Sequence, residues 1–443
     1  MKQKVHPVLG IGFGPANLSL AVILEELGHL SDAHFVERSP VFQWQDEQLL
    51  SGADIQNNPF RDLAMQRNQD SPHTFIKYLA SRGALTDYLH LNAKFPLRRE
   101  YGDYLAWVAR AFADRVDYGH SAAQLTLHND EDGNELFCVE TQHNERHLGQ
   151  TLVLGTGRSP RIPHPFPVSL GDTVFHSTRY LSSVNAFRDR DIRVVVIGAS
   201  QSAIEIVLNL LERPNVRQVT SIHRSIGFRL KDTSPYSRQV FLPEFVDYFH
   251  PLPAAVKRRL RTDLRSINYA ACDQDVIDRL VTVQREYDLI GSDRLRLLPF
   301  TEVTEIDDLA GHGPHRLTVR ETNHHTHHTV DADVVILATG FKDFGISADD
   351  ERYHPLLEGV AHRLPFDDEG IPEVGRDYAI ELKAPDPAPR PLKIYLNGLC
   401  EASHGMGDAG ALAMLSARAS DIATSLLTPP APAHRRHAHR ALR

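Results

Sequence analysis

The tightest constraint on this chain is a strand, a glycine turn and a helix in immediate succession at its start. Val5-His6-Pro7-Val8-Leu9 reads as a short buried strand. It runs into Gly10-Ile11-Gly12-Phe13-Gly14-Pro15-Ala16-Asn17, and an apolar-periodic helix follows from Leu18 to Leu27. About twenty residues past the turn, His34-Phe35-Val36-Glu37 forms a second strand that closes on an acid. This order is that of a dinucleotide-binding unit. Gly10 and Gly12 let the backbone turn and approach a pyrophosphate, the helix amino terminus offers free N–H groups, and Glu37 accepts from a ribose. Pro15 stands where a third glycine usually sits.

The pattern recurs in mid-chain. Arg193-Val194-Val195-Val196-Ile197 is a β-branched strand that leads into Gly198-Ala199-Ser200-Gln201-Ser202-Ala203 and a helix from Ile204 to Leu211. The next strand, Val219 to His223, ends at His223-Arg224 in place of an acid, which suits a 2′-phosphate and favours NADPH over NADH. Ser200 occupies the second glycine position. Two nucleotide units in one chain predict an α/β fold of the flavoprotein reductase or monooxygenase kind. Thr151 to Gly157 and Asp333 to Phe341 are further buried strands that close on small residues, which suits the chain crossing between domains beside bound nucleotides.

Composition removes other classes. The 443 residues allow two or three domains, and 48 Lys+Arg against 57 Asp+Glu give a net charge of −9, the wrong sign for a nucleic-acid surface. Three separated cysteines form no CxxC, which excludes a disulfide framework and a cysteine-held zinc, and fits a reducing cytoplasm. No apolar run reaches the roughly 20 residues of a membrane helix. His324-His325-Thr326-His327-His328 lies between two strands without a nearby Cys or carboxylate, so it reads as a solvated hairpin loop and no metal is expected. Lys257 to Arg261 reads as the wet face of a helix, and the tail from Thr428 to Arg443 as mobile.

Between and after the glycine turns come Gln56 to Leu63, Ser71-Pro72-His73-Thr74-Phe75, Asp232 to Arg238, Ile267-Asn268-Tyr269 and Glu401-Ala402-Ser403-His404-Gly405. With these segments the chain, from about Val5 to Asp421, resembles the flavin-dependent N-hydroxylating monooxygenases, the L-ornithine and L-lysine N-monooxygenases of siderophore biosynthesis. The resemblance implies two Rossmann-like dinucleotide-binding domains, one for FAD and one for NADPH, with a small helical substrate region. The FAD domain would comprise residues 1–164 and 341–443, the NADPH domain 165–340, and residues 232–280 would help line the substrate site. It also implies that NADPH reduces FAD, that O2 forms a C4a-hydroperoxide, and that the distal oxygen passes to a neutral primary amine. The flavin carries that chemistry, so no catalytic dyad is expected. Gly10, Gly12, Gly14, Pro15, Asn17, Glu37, Trp44 and Gln56 would hold FAD, together with His404. Gly198, Ser200, Gln201, Ser202 and Arg224 would hold NADPH, and Asn268 would touch substrate. A cytoplasmic homo-oligomer, dimer or tetramer, is the matching expectation, with neither nucleic acid nor membrane as a partner.

Departures from the family pattern bear on the substrate. Arg61 stands where a carboxylate-holding Lys is usual, and Arg238 where ornithine enzymes carry a substrate-binding Asn. Gln45 follows Trp44 in place of His. Asp408 to Ala413 replaces the usual Thr-Leu-Leu-Ser with one extra residue. Two arginines in one pocket would clamp carboxylates bidentately, repel a second ammonium and keep a bound amine neutral. The expected substrate is therefore a small amine with at least one carboxylate, an acidic amino acid among the candidates, while a diamine is disfavoured. L-Ornithine or L-lysine is the alternative, with Arg61 replacing Lys in the same role and Arg238 turned to solvent. A Baeyer–Villiger enzyme is countered by Phe175-His176-Ser177-Thr178-Arg179-Tyr180, which lacks that class's Phe-x-Gly-x-x-x-His. A disulfide reductase is excluded by the missing CxxC, and a non-catalytic flavin-binding protein is the remaining possibility.

Overall fold

The computed structural model describes residues 4–91, 93–308, 314–384 and 391–428; the tail beyond 428, expected to be mobile, lies outside them. Val5–Ile11 is the central strand of the first sheet. It pairs in parallel with Ala33–Glu37 on one side and Arg146–Leu154 on the other. Val116–Tyr118 extends the sheet beyond Ala33–Glu37, and Lys393–Leu396 pairs in parallel with the far side of Arg146–Leu154. A strand from near residue 395 thus lies in one sheet with a strand from residue 5. The helix Pro15–Glu26 packs its buried Leu18 to Leu24 on this sheet, beside the carboxyl-terminal helix Leu415–Leu427.

The second sheet is wholly parallel, in the order Leu295–Leu298, Val216–Ile222, Ile192–Ile197, Val334–Leu337, Val174–His176. Its strands are nearly continuous runs of Val and Ile, as expected where both faces are covered. One face is covered by the helix Gln201–Glu212, the other by the antiparallel strands Thr301–Asp308, His315–Glu321 and His327–Ala332. The α/β class and both strand–turn–helix units are therefore as expected. The His324 run sits at the hairpin turn of the antiparallel strands, exposed.

A helical stretch follows the second glycine unit, with Pro243–Phe249, Ala254–Asp263 and Gln274–Leu289, the last packed on Gln201–Glu212. Val240, Phe241 and Ile267 from this region form one core with Met406 and Ala413 of the late chain. The basic face of Ala254–Asp263 is more than a wet surface. Arg258 pairs with Glu369, and Arg261 lies 2.8 Å from Asp343, so its cations fasten the helix to the chain after residue 340.

The two halves meet at a buried bidentate ion pair. Arg98 Nη1 lies 2.9 Å from Glu205 Oε2, and Arg98 Nη2 donates to Oε1 at 3.1 Å. Arg98 also donates to the carbonyls of Gln48 and Asp54, and Gln201 Nε2 donates to Glu205, so the buried charges are well bonded. Removing one partner of such a pair strands the other charge. Arg98→Ala is expected to cost about 3–5 kcal/mol, whereas replacing Arg98 and Glu205 together by Met and Leu should cost far less. Denaturant unfolding of the two variants measures the contrast.

Candidate active site

The first glycine turn is built by close approach. A Cβ on Gly10 would lie 2.2 Å from the buried ring of Phe35, and one on Gly12, at φ +81°, 2.7 Å from the Gly155 carbonyl oxygen. Gly14 differs. It caps the helix Pro15–Glu26 without a side-chain bond, and nothing lies within 4 Å of its missing Cβ. The open space in front of a helix amino terminus with unsatisfied N–H groups fits a pyrophosphate. Glu37 turns its carboxylate toward the same turn, accepting from the Phe13 N–H at 2.7 Å and the Ser39 N–H at 2.8 Å.

Asn17 has a different place from the one expected. It is wholly buried, donates to the carbonyls of Ile11 and Gly12, and accepts from Asn397 Nδ2 at 3.0 Å. Asn397 accepts from Arg418, itself buried against Asp408 at 3.0 Å. Asn17 thus holds the turn instead of reaching toward a ligand. His404 is likewise corrected. Only 1% exposed, it stacks on Tyr378 at 4.0 Å, and its nitrogens face Ser403 Oγ and the Arg376 carbonyl. Burial first, then His250, pushes its pKa well down, so it packs as a neutral imidazole.

At the second turn a Cβ on Gly198, φ +138°, would strike the Ala338 carbonyl at 2.3 Å. Ser200 caps the helix Gln201–Glu212 with no side-chain bond. Gln201 is fully engaged: its amide donates to Ala271, its Nε2 to Glu205, and its Oε1 accepts from the Asp273 N–H. Ser202 donates to Gln48 Oε1. Ser202 thus bonds across to the first half, while the bonds of Gln201 stay within its own half. Arg224 is exposed; burial first lowers the pKa of Arg161, Asp349, 3.7 Å away, raises it, and the charges of Arg224 and Arg265 lower it.

Trp44 is half-buried with its ring against Tyr101, next to Gln45 at φ +53°. Gln56 accepts from Lys231 Nζ at 3.1 Å, and its own buried Nε2 has no partner. Arg61 and Arg238 come together: both are half-buried, and burial, then repulsion by Arg238, lowers the pKa of Arg61. Arg238 also pushes Lys231 down, after burial. Among the described residues neither arginine forms an ion pair with a carboxylate. Asn268 packs against Gly410, with its Nδ2 buried and unpartnered. Arg238 therefore does not face bulk water.

Sequence reasoning missed a buried charge cluster beside Asn268. Glu401, 2% exposed, accepts from the Tyr269 hydroxyl. Arg158 lies 2.9 Å from Asp343, 3.8 Å from Glu401, and over the rings of Tyr269 and Phe341. Burial and the Asp343 charge raise the Glu401 pKa to about 8, against the pull of Arg158 and Tyr269. No spacing in the sequence links these residues, which come from four separate segments.

Two outcomes follow. Gly10→Ala should destabilise the fold by about 1–3 kcal/mol through overpacking on Phe35. Gly14→Ala should unfold like the parent yet bind its dinucleotide roughly tenfold more weakly, as denaturation and cofactor titration together will show. Because the folded pKa of Glu401 lies above its ordinary 4.5, its contribution to stability is fully present below that value and is lost as pH rises through about 8. Melting curves should therefore show Glu401→Gln gaining on the parent as pH rises from about 5 to about 9.

Comparison with known proteins agrees with this geometry. The profile of the family described as L-lysine 6-monooxygenase/L-ornithine 5-monooxygenase matches residues 4–343. An L-ornithine N(5)-monooxygenase of Burkholderia cepacia is 34% identical over 418 residues, 91% of this chain and 90% of that one. The ornithine N-hydroxylase of Kutzneria sp. 744, solved with reduced FAD, NADP+ and L-ornithine, is 32% identical at a TM-score of 0.85, covering 96% of this chain and 99% of that one. The L-lysine 6-monooxygenase of Pseudomonas syringae is 33% identical at a TM-score of 0.82, covering 95% and 99%. This chain belongs to the L-lysine 6-monooxygenase/L-ornithine 5-monooxygenase family.

Proposed function

We propose that the chain is an NADPH- and FAD-dependent monooxygenase that N-hydroxylates the primary amine of a small amino acid, with its carboxylate end held by Arg61 and Arg238. Family membership supports the reaction, and the meeting of those two guanidiniums carries the substrate assignment. The residues fit the cofactors. The open Gly14 helix terminus and Glu37 suit FAD, and the uncapped Ser200 terminus with Arg224 and Arg161 suits the phosphates of NADPH. Bound FAD, with NADPH and O2, supplies the redox and oxygen-transfer chemistry.

The chain's own residues have three tasks. Arg61 and Arg238 orient the carboxylate by charge-assisted bonds. The same cations, with Lys231, oppose an ammonium nearby and so favour the neutral amine, whose lone pair accepts oxygen. The orphaned Gln56 Nε2 and Asn268 Nδ2 are buried donors that a ligand would satisfy.

The relatives favour L-ornithine or L-lysine, hydroxylated on the side-chain amine as in siderophore biosynthesis, and this is the first reading. One observation favours a second, a small acidic amino acid. Two half-buried guanidiniums with no carboxylate partner carry more positive charge than one substrate carboxylate answers, and a second carboxylate would balance it. Hydroxylamine formation with L-ornithine, L-lysine, L-aspartate and L-glutamate separates the two. Faster turnover of the basic pair supports the first reading, faster turnover of the acidic pair the second. Absence of NADPH-dependent hydroxylation of any amino acid defeats both. With the preferred substrate, Arg238→Ala should lower kcat/KM by roughly 10- to 150-fold, the loss of one charge-assisted contact of about 1.5–3 kcal/mol.

A further inference from the structure

Four strands of the first sheet bring together a group of side chains that the monooxygenase chemistry does not use. His34 Nε2 lies 2.8 Å from Asp117 Oδ2, and His147 Nδ1 lies 3.7 Å from the same oxygen. All three ligand atoms lie within 4.8 Å of one another. His6 stacks on His34 at 4.5 Å and forms a wall to the group, while His34 and His147 face each other at 6.1 Å. His120 is close to His147 but is engaged elsewhere, by Glu145 and the Tyr118 carbonyl.

The histidine at 147 is the telling member. Its side chain is only 11% exposed, its Nε2 is buried without a partner, and its Nδ1 faces Asp117 beyond hydrogen-bond reach. The Nδ1 lone pair is thus free for a ligand, and an ion shared with Asp117 would take it there; the buried Nε2 is not part of that contact. The gap between Nδ1 and Asp117 has the size of an ion. Ligand atoms sharing one tetrahedral zinc at about 2.0–2.1 Å stand about 3.3 Å apart, and the observed 2.8 and 3.7 Å bracket that spacing. Two imidazoles and one carboxylate form a recognised donor set for zinc-like ions. Asp117, 40% exposed, leaves the outer side open to water as a further ligand and as the path of entry.

We propose that His34, Asp117 and His147 bind one divalent transition-metal ion of the zinc type. The site is separate from the nucleotide turns. His34 and His147 are the second residues of their strands, whereas Glu37 and the Gly12 turn follow the carboxyl ends of this part of the sheet. The ion ties Ala33–Glu37, Val116–Tyr118 and Arg146–Leu154 together and so stabilises the sheet; it takes no part in oxygen transfer. The exposed His324 run, the conspicuous metal motif in the sequence, is not where these ligands converge.

The test uses the full-length holoenzyme, stripped with a chelator, incubated with ZnCl2 and desalted. Zinc per chain is then measured by elemental mass spectrometry, and the melting temperature is taken with and without zinc. His34→Gln and Asp117→Asn are compared with the parent. Asp117→Asn preserves shape and a hydrogen-bonding oxygen, so it folds even if His34→Gln does not. The histidines at 324–328 and in the tail remain in every variant and set a common background. The parent is expected to retain one zinc per chain more than Asp117→Asn, and zinc should raise its melting temperature and not that of the variant. Equal zinc retention in parent and Asp117→Asn, or none above background in the parent, overturns the proposal.

Discussion

The active site depends first on the ion pair between Arg98 and Glu205. Two charges out of water are tolerable only when every lone pair and proton is answered, and here the carbonyls of Gln48 and Asp54 and the amide of Gln201 complete the set. Those two carbonyls lie within the segment that begins beside Trp44 and runs on to Gln56 and Arg61. Backbone bonds from Arg98 to Ala53 and from Ile55 to Pro96 fix it further. One buried pair therefore both joins the two sheets and fixes the loop that carries Arg61. It also explains why Gln201 and Ser202, at a position where nucleotide contacts are expected, are turned to the interior of the protein.

The charge distribution has a matching logic. The whole chain is acidic, yet Arg61, Arg238 and Lys231 gather at one place and Arg161, Arg224 and Arg265 at another. A cationic cleft in an anionic body concentrates the field where anions are to bind and repels them elsewhere. The buried Arg158, Asp343, Glu401 and Tyr269 add a balanced cluster at the seam, held by desolvated opposite charges. A proton on Glu401 is part of that balance over much of the neutral range, because burial outweighs the neighbouring guanidinium.

What could be read in advance follows from the range of the interactions involved. Gly10, Gly12 and Gly198 announce their roles because a turn and a close backbone approach are local demands that only glycine meets. Valine-rich strands announce burial on both faces. Asn17 and His404 could not be read rightly, since their partners, Asn397 and the Arg376 carbonyl, are brought by the fold and not by spacing. The same holds for the cluster around Glu401 and for His34, Asp117 and His147, residues 83 positions apart or brought in from a third strand. The meeting of Arg61 and Arg238 lies between these cases. Departure from a motif signalled each residue, but only the fold brings Arg238 near enough for its charge to act on Arg61.

The link from Asn17 through Asn397 to Arg418 also sets an order of events in the cell. Asn17 and Asn397 are 380 residues apart, and the glycine turn leaves the ribosome long before its buttress is made. The strand Arg146–Leu154 cannot gain its neighbour Lys393–Leu396, nor the turn its buried support, until the chain has been synthesised past Arg418. The support beneath the first dinucleotide turn therefore forms late, and chains truncated before Leu415 emerge without it.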